Sequence, residues 1–480
     1  MKILRKFFKC IKLFFNSTIL LCKLRHLKNV GKNIELKQVN AIKYAAKQCG
    51  PIGIKFLQFL MLNDNFMSKH VIGLFDDVYE MCDKHSWIHT CELYENDFGH
   101  SIERDYGDHC ESIASGSIGQ VYKIYNTNLS KYVAMKVKHP NVDVHVHDFV
   151  RTIRLVTRVV SLFMEIPFKI LIHEYMDNVQ LQLDYKTEAN NLVRLRENFM
   201  NTSHIIVPHV YEVTTNFIIM SFCDGVQFTD VKDVQFQRKI SIDVMLFMTA
   251  SLLIHDFVHC DFHKGNWKVE YDPHDADHNT NYKLVIYDCG LFSSIGNKHM
   301  VRDVLSTFYD GEFDRMVSLI SPDRINIHPS QLEKRNQVQT FAKELMCSTT
   351  VTSSDRFKII LSEVIRVGLE IDKHVLRSLQ ALAIASQILE IGVSRITQII
   401  YGKHGPIIHG LVMCTYCGIT KYMDKYPELH SYLSEWIRED QHASRNYQQW
   451  MMDEFGHDDE DVYLDVITHA MGINKPVHML

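Results

Sequence analysis

Apolar residues open the chain at three- and four-residue steps: Ile3, Leu4, Phe7, Phe8, Ile11, Phe14 and Phe15, with Lys2, Arg5, Lys6, Lys9 and Lys12 between them. That is the period of a helix with one apolar and one cationic face. Further along, the pattern becomes that of strands. Val121 to Tyr125 is a β-prone run, Tyr132 to Lys138 alternates around one lysine, and Phe217 to Met220 and Leu284 to Tyr287 are apolar runs ending in polar residues. Val244 to Val258 is an apolar helical stretch, and Ser378 to Leu389, bracketed by Arg377 and Glu390, reads as a buried core helix. No internal repeat or low-complexity linker interrupts these elements.

Composition narrows the class. The 480 residues allow two to four domains at ~150 residues each. With 46% hydrophobic and 23% charged residues, disordered, collagenous and disulfide-scaffold chains are excluded. A net charge of −5 argues against a chain that coats nucleic acid. The mean hides an asymmetry, because Met1 to Ile34 contains no acidic residue. The uncharged run Leu13 to Cys22 is half of the ~20 residues a spanning helix needs, so the first helix is expected to lie on a membrane surface rather than cross the bilayer. Packing on the protein's own body is the second reading and a mitochondrial import signal the third. A secretory signal is disfavoured, since no small-residue cleavage site follows. Asp453 to Asp465 forms an acidic stretch of the solvated-tail kind. Only Cys414 and Cys417 among the 12 cysteines form a close pair, too few for a structural zinc site, and no HExxH occurs. The thiols are expected to be reduced, in an intracellular setting.

The candidate chemistry lies in the middle of the chain. Ala114, Ser115, Gly116, Ser117 and Gly119, with Gln120, form a turn poor in bulky side chains between two β-prone segments, and Lys136 follows in Val-Ala-Met-Lys. Backbone amides in such a turn can approach phosphate oxygens, and an inward lysine can neutralise them, as in a kinase small lobe. The turn is not GxGxxG, and a lone strand lysine is ordinarily an edge residue. His259-Cys-Asp-Phe-His-Lys-Gly-Asn266 strengthens the reading, with Asp261 and Asn266 spaced as in the kinase loop HRDxxxxN. Asp288, at the end of an apolar strand, then stands in the place of Asp-Phe-Gly. Magnesium needs hard oxygen ligands, here Asn266 and Asp288, and an acceptor hydroxyl needs a carboxylate, here Asp261. Phe217 to Gly225 sits where a hinge would meet adenine, with Met220 at the back of the pocket; a plain core strand predicts the same residues.

With these motifs in kinase order, the chain resembles the UbiB/ADCK family of atypical kinase-like proteins associated with ubiquinone biosynthesis. The resemblance is carried by Ala114 to Val121, by His259 to Asn266, by Gln182-Leu-Asp-Tyr-Lys-Thr-Glu-Ala189, read as one helix, and by Gly50-Pro-Ile-Gly-Ile-Lys-Phe-Leu-Gln58. It runs from about Ala41 to Arg395 and includes Tyr309 to Arg315. It implies ATP and Mg2+ as cofactors, Glu188 as the helix partner of Lys136, and Lys55 and Gln58 in an extension folded over the nucleotide. It also implies a carboxylate partner for Lys55. Gln182 replaces the expected glutamate, which leaves Asp184 as the nearest acid. Gly116 stands for the usual alanine, Leu57 for a glycine, Cys289 for phenylalanine and Ser221 for the hinge glutamate.

The expectation is an α+β, two-lobed, protein-kinase-like fold with helical additions at both ends. Residues 1–33 form a basic amphipathic leader helix, 34–110 a helical extension with the Lys-x-x-Gln element, 111–225 the small lobe and 226–400 the large lobe. Residues 401–480 form a helical segment with an acidic tail. The expected activity is Mg-dependent kinase or ATPase chemistry on a lipid or quinone-precursor substrate at a membrane surface, with no nucleic acid partner. A protein kinase with a weakened cover and a nucleotide-binding pseudokinase scaffold are the alternatives.

Overall fold

The protein is described from a computed structural model. It covers residues 2–30, 35–62, 74–75, 84–162, 169–272, 274, 281–294, 296, 300 and parts of 303–381 and 426–431. The side chains of 2–10, 25 and 27–30, the Cys414–Cys417 pair, residues 309–311, most of the 378–389 segment, and the acidic stretch lie outside the described residues. Two compact units result, one of Met1–Arg194 with Pro208–Cys223 and one of Leu195–Val207 with Asp224–Leu480.

The first unit is built on an antiparallel five-stranded sheet in the order β1-β2-β3-β6-β5. Its strands are β1 (Tyr106–Ser115), β2 (Gly119–Asn126), β3 (Lys131–Lys138), β5 (Val210–Val213) and β6 (Phe217–Ser221). Side chains alternate between the two faces of a strand. Tyr122, Ile124, Val133, Met135 and Val137 therefore share one face, where they bury with Tyr94, Phe217 and Ile219. Tyr94 comes from helix α4 (Trp87–Phe98), which starts at Ser86, whose side chain accepts the His89 amide, and stops at Gly99 in the left-handed conformation. The register pairs Lys136 with Val121 and Ile218, and Ala134 with Met220, so Lys136 and Met220 share the opposite face.

Helices α1 (Lys2–Val30), α2 (Leu36–Gln48), α3 (Pro51–Leu62), α5 (Val142–Val160), α6 (Lys169–Leu181) and α7 (Tyr185–Asn198) accompany the sheet, the first five packing on one another. Gly50, at φ +82°, turns α2 into α3, and Pro51 opens α3 where its missing N–H costs nothing. The expected leader is a helix, and between residues 16 and 24 it packs on the protein itself. Asn16 Nδ2 donates to the Gln48 carbonyl at 3.1 Å, and Ser17, Leu20, Leu21 and Leu24 are buried. Phe15 and Ile19 remain exposed. None of the described helices is long and apolar enough to cross a membrane.

The expected 182–189 helix is broken, because α6 ends at Leu181 and α7 begins at Tyr185. Asp184 caps α7: its Oδ1 accepts the amides of Lys186 and Thr187 and its Oδ2 accepts the Thr187 hydroxyl at 2.9 Å. These bonds, the Thr187 hydroxyl first, hold the Asp184 carboxyl below its ordinary value.

In the second unit, helix α8 (Val234–Leu253) accompanies three strands in the order β4-β9-β8: β4 (Ile205–Ile206), β9 (Tyr282–Ile286) and β8 (Trp267–Tyr271). Strands β7 (Val258–His259) and β10 (Phe292–Ser293) pair separately, and helices α9 (Phe313–Ile320) and α10 (Pro329–Met346) follow. Phe262 and Trp267 are fully buried, stacked with ring centroids 5.9 Å apart.

The two glycines of the small-residue turn differ in what they require. A Cβ on Gly119 would lie 2.2 Å from the Tyr185 hydroxyl and 2.5 Å from the Val137 carbonyl oxygen, whereas one on Gly116 meets only the Gly119 carbonyl at an ordinary 3.7 Å. Gly119→Ala is expected to cost about 2 kcal/mol by overpacking, and Gly116→Ala less than about 0.5 kcal/mol, in urea unfolding. Deleting residues 1–33 should lower Tm in a thermal melt, since it strips the cover of Leu20, Leu21 and Leu24 from α2 and α5.

Candidate functional site

The first group of site residues gathers on the Lys136 face of the sheet. A lysine placed there by strand alternation is nearly buried, and a buried ammonium must be paired. Glu188, one turn into α7, supplies the partner, with Lys136 Nζ to Glu188 Oε1 at 2.6 Å and the glutamate side chain only 2% exposed. The Tyr185 ring lies beneath both Lys136 and Lys138, each ammonium 5.5 Å from the ring centroid. The Lys138 ammonium meets Asp143 at 3.0 Å. Tyr185 thus spaces two lysines while its hydroxyl presses on the first residue of β2. Its role was invisible in sequence, although it stands beside Asp184 in the segment singled out there.

The turn is narrower than the sequence suggests. Ala114 and Ser115 pair with Val121 and Gln120 at the end of β1, so only Gly116, Ser117 and Ile118 lie between the strands. The Gly116 amide donates to the Gly119 carbonyl at 2.9 Å. Gln120 is buried, its Oε1 accepting the His85 amide at 2.8 Å and its Nε2 donating to Ser112 Oγ at 3.0 Å. That makes Gln120 a brace behind the turn. Met220 is buried on the Lys136 face, and Ser221 is tied to His209, accepting its amide at Oγ and donating its own amide to its carbonyl.

Lys55 and Gln58 lie half-buried on α3, which is held to α6 by Tyr175, whose hydroxyl donates to the Ile52 carbonyl at 3.1 Å. Leu57 is fully buried, so the position read as a missing glycine fills a core. The expected Lys55–Asp184 pair is not formed. Asp184 is engaged in capping α7, and Lys55 has no ion pair among the described residues.

The second group lies around the β7–β8 connection. Phe262 and Trp267, the neighbours of Asp261 and Asn266 in sequence, are buried and anchor the loop. Asn266 Nδ2 donates to the Asp261 carbonyl at 2.6 Å, which fixes the amide plane and leaves Oδ1 as its ligand atom. His259, fully buried, joins this loop to the Asp288 segment. Its Nε2 donates to the Asp288 carbonyl at 2.6 Å and its Nδ1 accepts the Asp261 amide at 3.2 Å. Both bonds require the neutral Nε2–H tautomer, and burial lowers the ring's proton affinity in agreement. The amides of Tyr287 and Asp288 donate to the Asn266 carbonyl, and the Tyr287 hydroxyl donates to the Gly265 carbonyl. Asp261, Asn266 and Asp288 are therefore brought together by backbone and histidine bonds. Among the described residues no cluster of three or more His, Cys, Asp or Glu forms a ready-made metal cage. The donor set, one carboxylate and one amide oxygen, suits a hard divalent ion whose remaining ligands come from phosphate and water.

A lysine–glutamate pair on a small antiparallel sheet, with a DxxxxN loop stitched to a second aspartate, defines a protein-kinase-like chain of the α+β class. Residues 77–319, just over half of the sequence, match the ABC1 atypical kinase-like domain. The chain belongs to that family. A probable protein kinase UbiB of Shewanella woodyi is 25% identical over 307 residues, 59% of this chain and 54% of that protein. A putative ABC1 protein of Arabidopsis thaliana is 26% identical over 286 residues, 55% of this chain and 52% of that protein. The chain thus spans about half the length of the curated relatives it matches. Among solved structures, the Rv3197–erythromycin complex from Mycobacterium tuberculosis is similar at 15% identity and a TM-score of 0.43, covering 77% of this chain and 98% of that one.

Glu188→Gln would remove the carboxylate that pairs with the buried Lys136 ammonium at 2.6 Å and should cost about 3 kcal/mol. The double variant Lys136→Met, Glu188→Leu should recover most of that loss, because both charges of this pair are then gone and neither is left buried alone by loss of the other. Urea midpoints of the three chains measure both effects.

Proposed function

We propose that this chain is an atypical kinase or ATPase that binds ATP with magnesium. The observation that carries the reading is the Asp261–Asn266–Asp288 constellation, held together by the neutral His259. Asn266 Oδ1 and the Asp288 carboxylate would hold the ion, which supplies charge neutralisation to the phosphates when bound. Asp261 would orient or deprotonate the acceptor hydroxyl, and Lys136, held by Glu188, would neutralise phosphate oxygens. Ala114, Ser115, Gly116, Ser117, Gly119 and Gln120 would form the phosphate turn, Met220 would border adenine, and Lys55 and Gln58 would belong to the cover.

The proposed acceptor is a lipid or quinone precursor at a membrane surface, with the basic first half of α1 as the surface contact. Transfer to protein is the second reading. It is favoured by one observation: the carboxylate expected to hold the cover lysine is committed to a helix cap.

ADP or ATP with magnesium should raise Tm by mass action, about 2.7 kcal/mol of stabilisation when ligand exceeds Kd a hundredfold. EDTA or Asp288→Asn should remove most of that rise, and an unchanged shift in the variant would take Asp288 out of the site. ATP turnover measured with liposomes, with phenol-like lipids and with a generic protein substrate separates the two acceptor classes. Turnover that none of these additions changes would count against both.

A further inference from the structure

The phosphate turn is held from behind by a histidine that the motif reading left without a role. His139, the residue after β3, reaches the turn twice. Its amide donates to the Ile118 carbonyl at 2.9 Å, and its ring Nε2 donates to the Gly116 carbonyl at 2.8 Å. A carbonyl oxygen only accepts, so Nε2 carries a proton. The other ring nitrogen, Nδ1, lies 2.7 Å from Nδ1 of His85. His85 Nε2 is in turn 3.0 Å from the Thr90 hydroxyl, which meets the Tyr122 hydroxyl at 3.2 Å.

Two proton arrangements satisfy this chain. In one, His139 is neutral, His85 donates to it through Nδ1, and the Thr90 hydroxyl turns from Tyr122, to which it otherwise donates, to donate to His85 Nε2. In the other, His139 is an imidazolium that donates to both Gly116 and His85, and His85 donates from Nε2 to Thr90. The pair can take up one proton by turning the Thr90 hydroxyl from His85 to Tyr122, and the bond to Gly116 becomes charge-assisted, which roughly doubles its strength. A second proton would set N–H against N–H at 2.7 Å.

The first proton belongs on His139. Burial, with His139 and His89 nearby, pushes His85 down to about 4. Among the described residues the groups beside the pair include His89 on α4, whose Nε2 lies 3.3 Å from the Lys138 carbonyl, and two lysines. Lys84 donates to the Ser112 carbonyl, and the Lys138 ammonium is turned to Asp143.

We propose that His139 is a positioning residue of the phosphate turn, and that the proton it shares with His85 sets how firmly the turn is held. The inference rests on the nucleotide reading above, and it predicts tighter nucleotide binding at pH 6 than at pH 8. By linkage, nucleotide binding at the turn should favour uptake of that proton.

The first test needs no nucleotide. Amide exchange protection of Gly116 and His139 in the full chain, corrected for intrinsic rates, should rise from pH 8 to pH 6. It should fall about tenfold in His139→Ala, the loss expected for one strong hydrogen bond. His139→Gln retains a donor and cannot titrate, so its protection should stay near that of the parent at pH 8 and be flat with pH. His85→Phe removes the acceptor of the imidazolium proton and should move the transition to lower pH.

The second test is calorimetric ADP binding with magnesium in two buffers of different ionisation heat, parent against His139→Gln. The titration of ADP itself is common to both chains and cancels, so the parent should show the larger proton uptake. Equal protection in parent and His139→Ala, or parallel pH profiles in parent and His139→Gln, would overturn the proposal. If His139→Ala does not fold, the Gln and Phe variants decide it. Failure of ADP to bind the parent would sink the nucleotide reading, while the exchange result still judges the role of His139.

Discussion

A buried ammonium cannot stand alone, and the first unit is organised around that constraint. The period-2 alternation that sends Val133, Met135 and Val137 into the core sends Lys136 to the other face. There its charge can be kept only if a carboxylate is brought within hydrogen-bond reach, and Glu188 does this at 2.6 Å. The requirement fixes where α7 must start, and so explains why Asp184 caps a helix at the point where a continuous one was expected. It also places the Tyr185 ring under two lysines and its hydroxyl against the start of β2, which leaves room only for glycine at position 119.

The second unit solves a different problem with the same physics. Asp261, Asn266 and Asp288 come from two separate segments, and their carboxylates would repel if simply crowded together. The structure joins the segments through uncharged groups. A neutral histidine spans them, an asparagine amide is oriented by a backbone carbonyl, and two aromatic side chains bury the loop flanks. Because every linking bond is made by a neutral donor, the acidic oxygens keep their charge available for a cation and its phosphates.

The N-terminal segments show how one pattern can serve two ends. The first helix has the amphipathic period of a surface-seeking segment, yet its Leu20, Leu21 and Leu24 are covered by the protein itself while Phe15 and Ile19 stay exposed. Leu57 and Gln182 similarly read as departures from a family pattern. In the structure one is a core residue and the other the hinge between two helices. Local chemistry that departs from a family motif was absorbed by packing rather than left exposed.

Much of the site was legible in the sequence because its information is local. Strand alternation around Lys136, the DxxxxN spacing, and an aspartate ending an apolar strand are set by residues a few positions apart. That was enough to indicate a kinase-like α+β chain before any fold was known. What the sequence could not supply were relations between residues distant along the chain. The meeting of His85 with His139, the reach of Tyr185 to Gly119, the bridge from His259 to Asp288, and the covering of Leu20 and Leu24 are such relations. Each depends on a side chain desolvated by elements far away in sequence. Which polar group is buried, and with whom it is paired, is decided only when the tertiary structure excludes water from both.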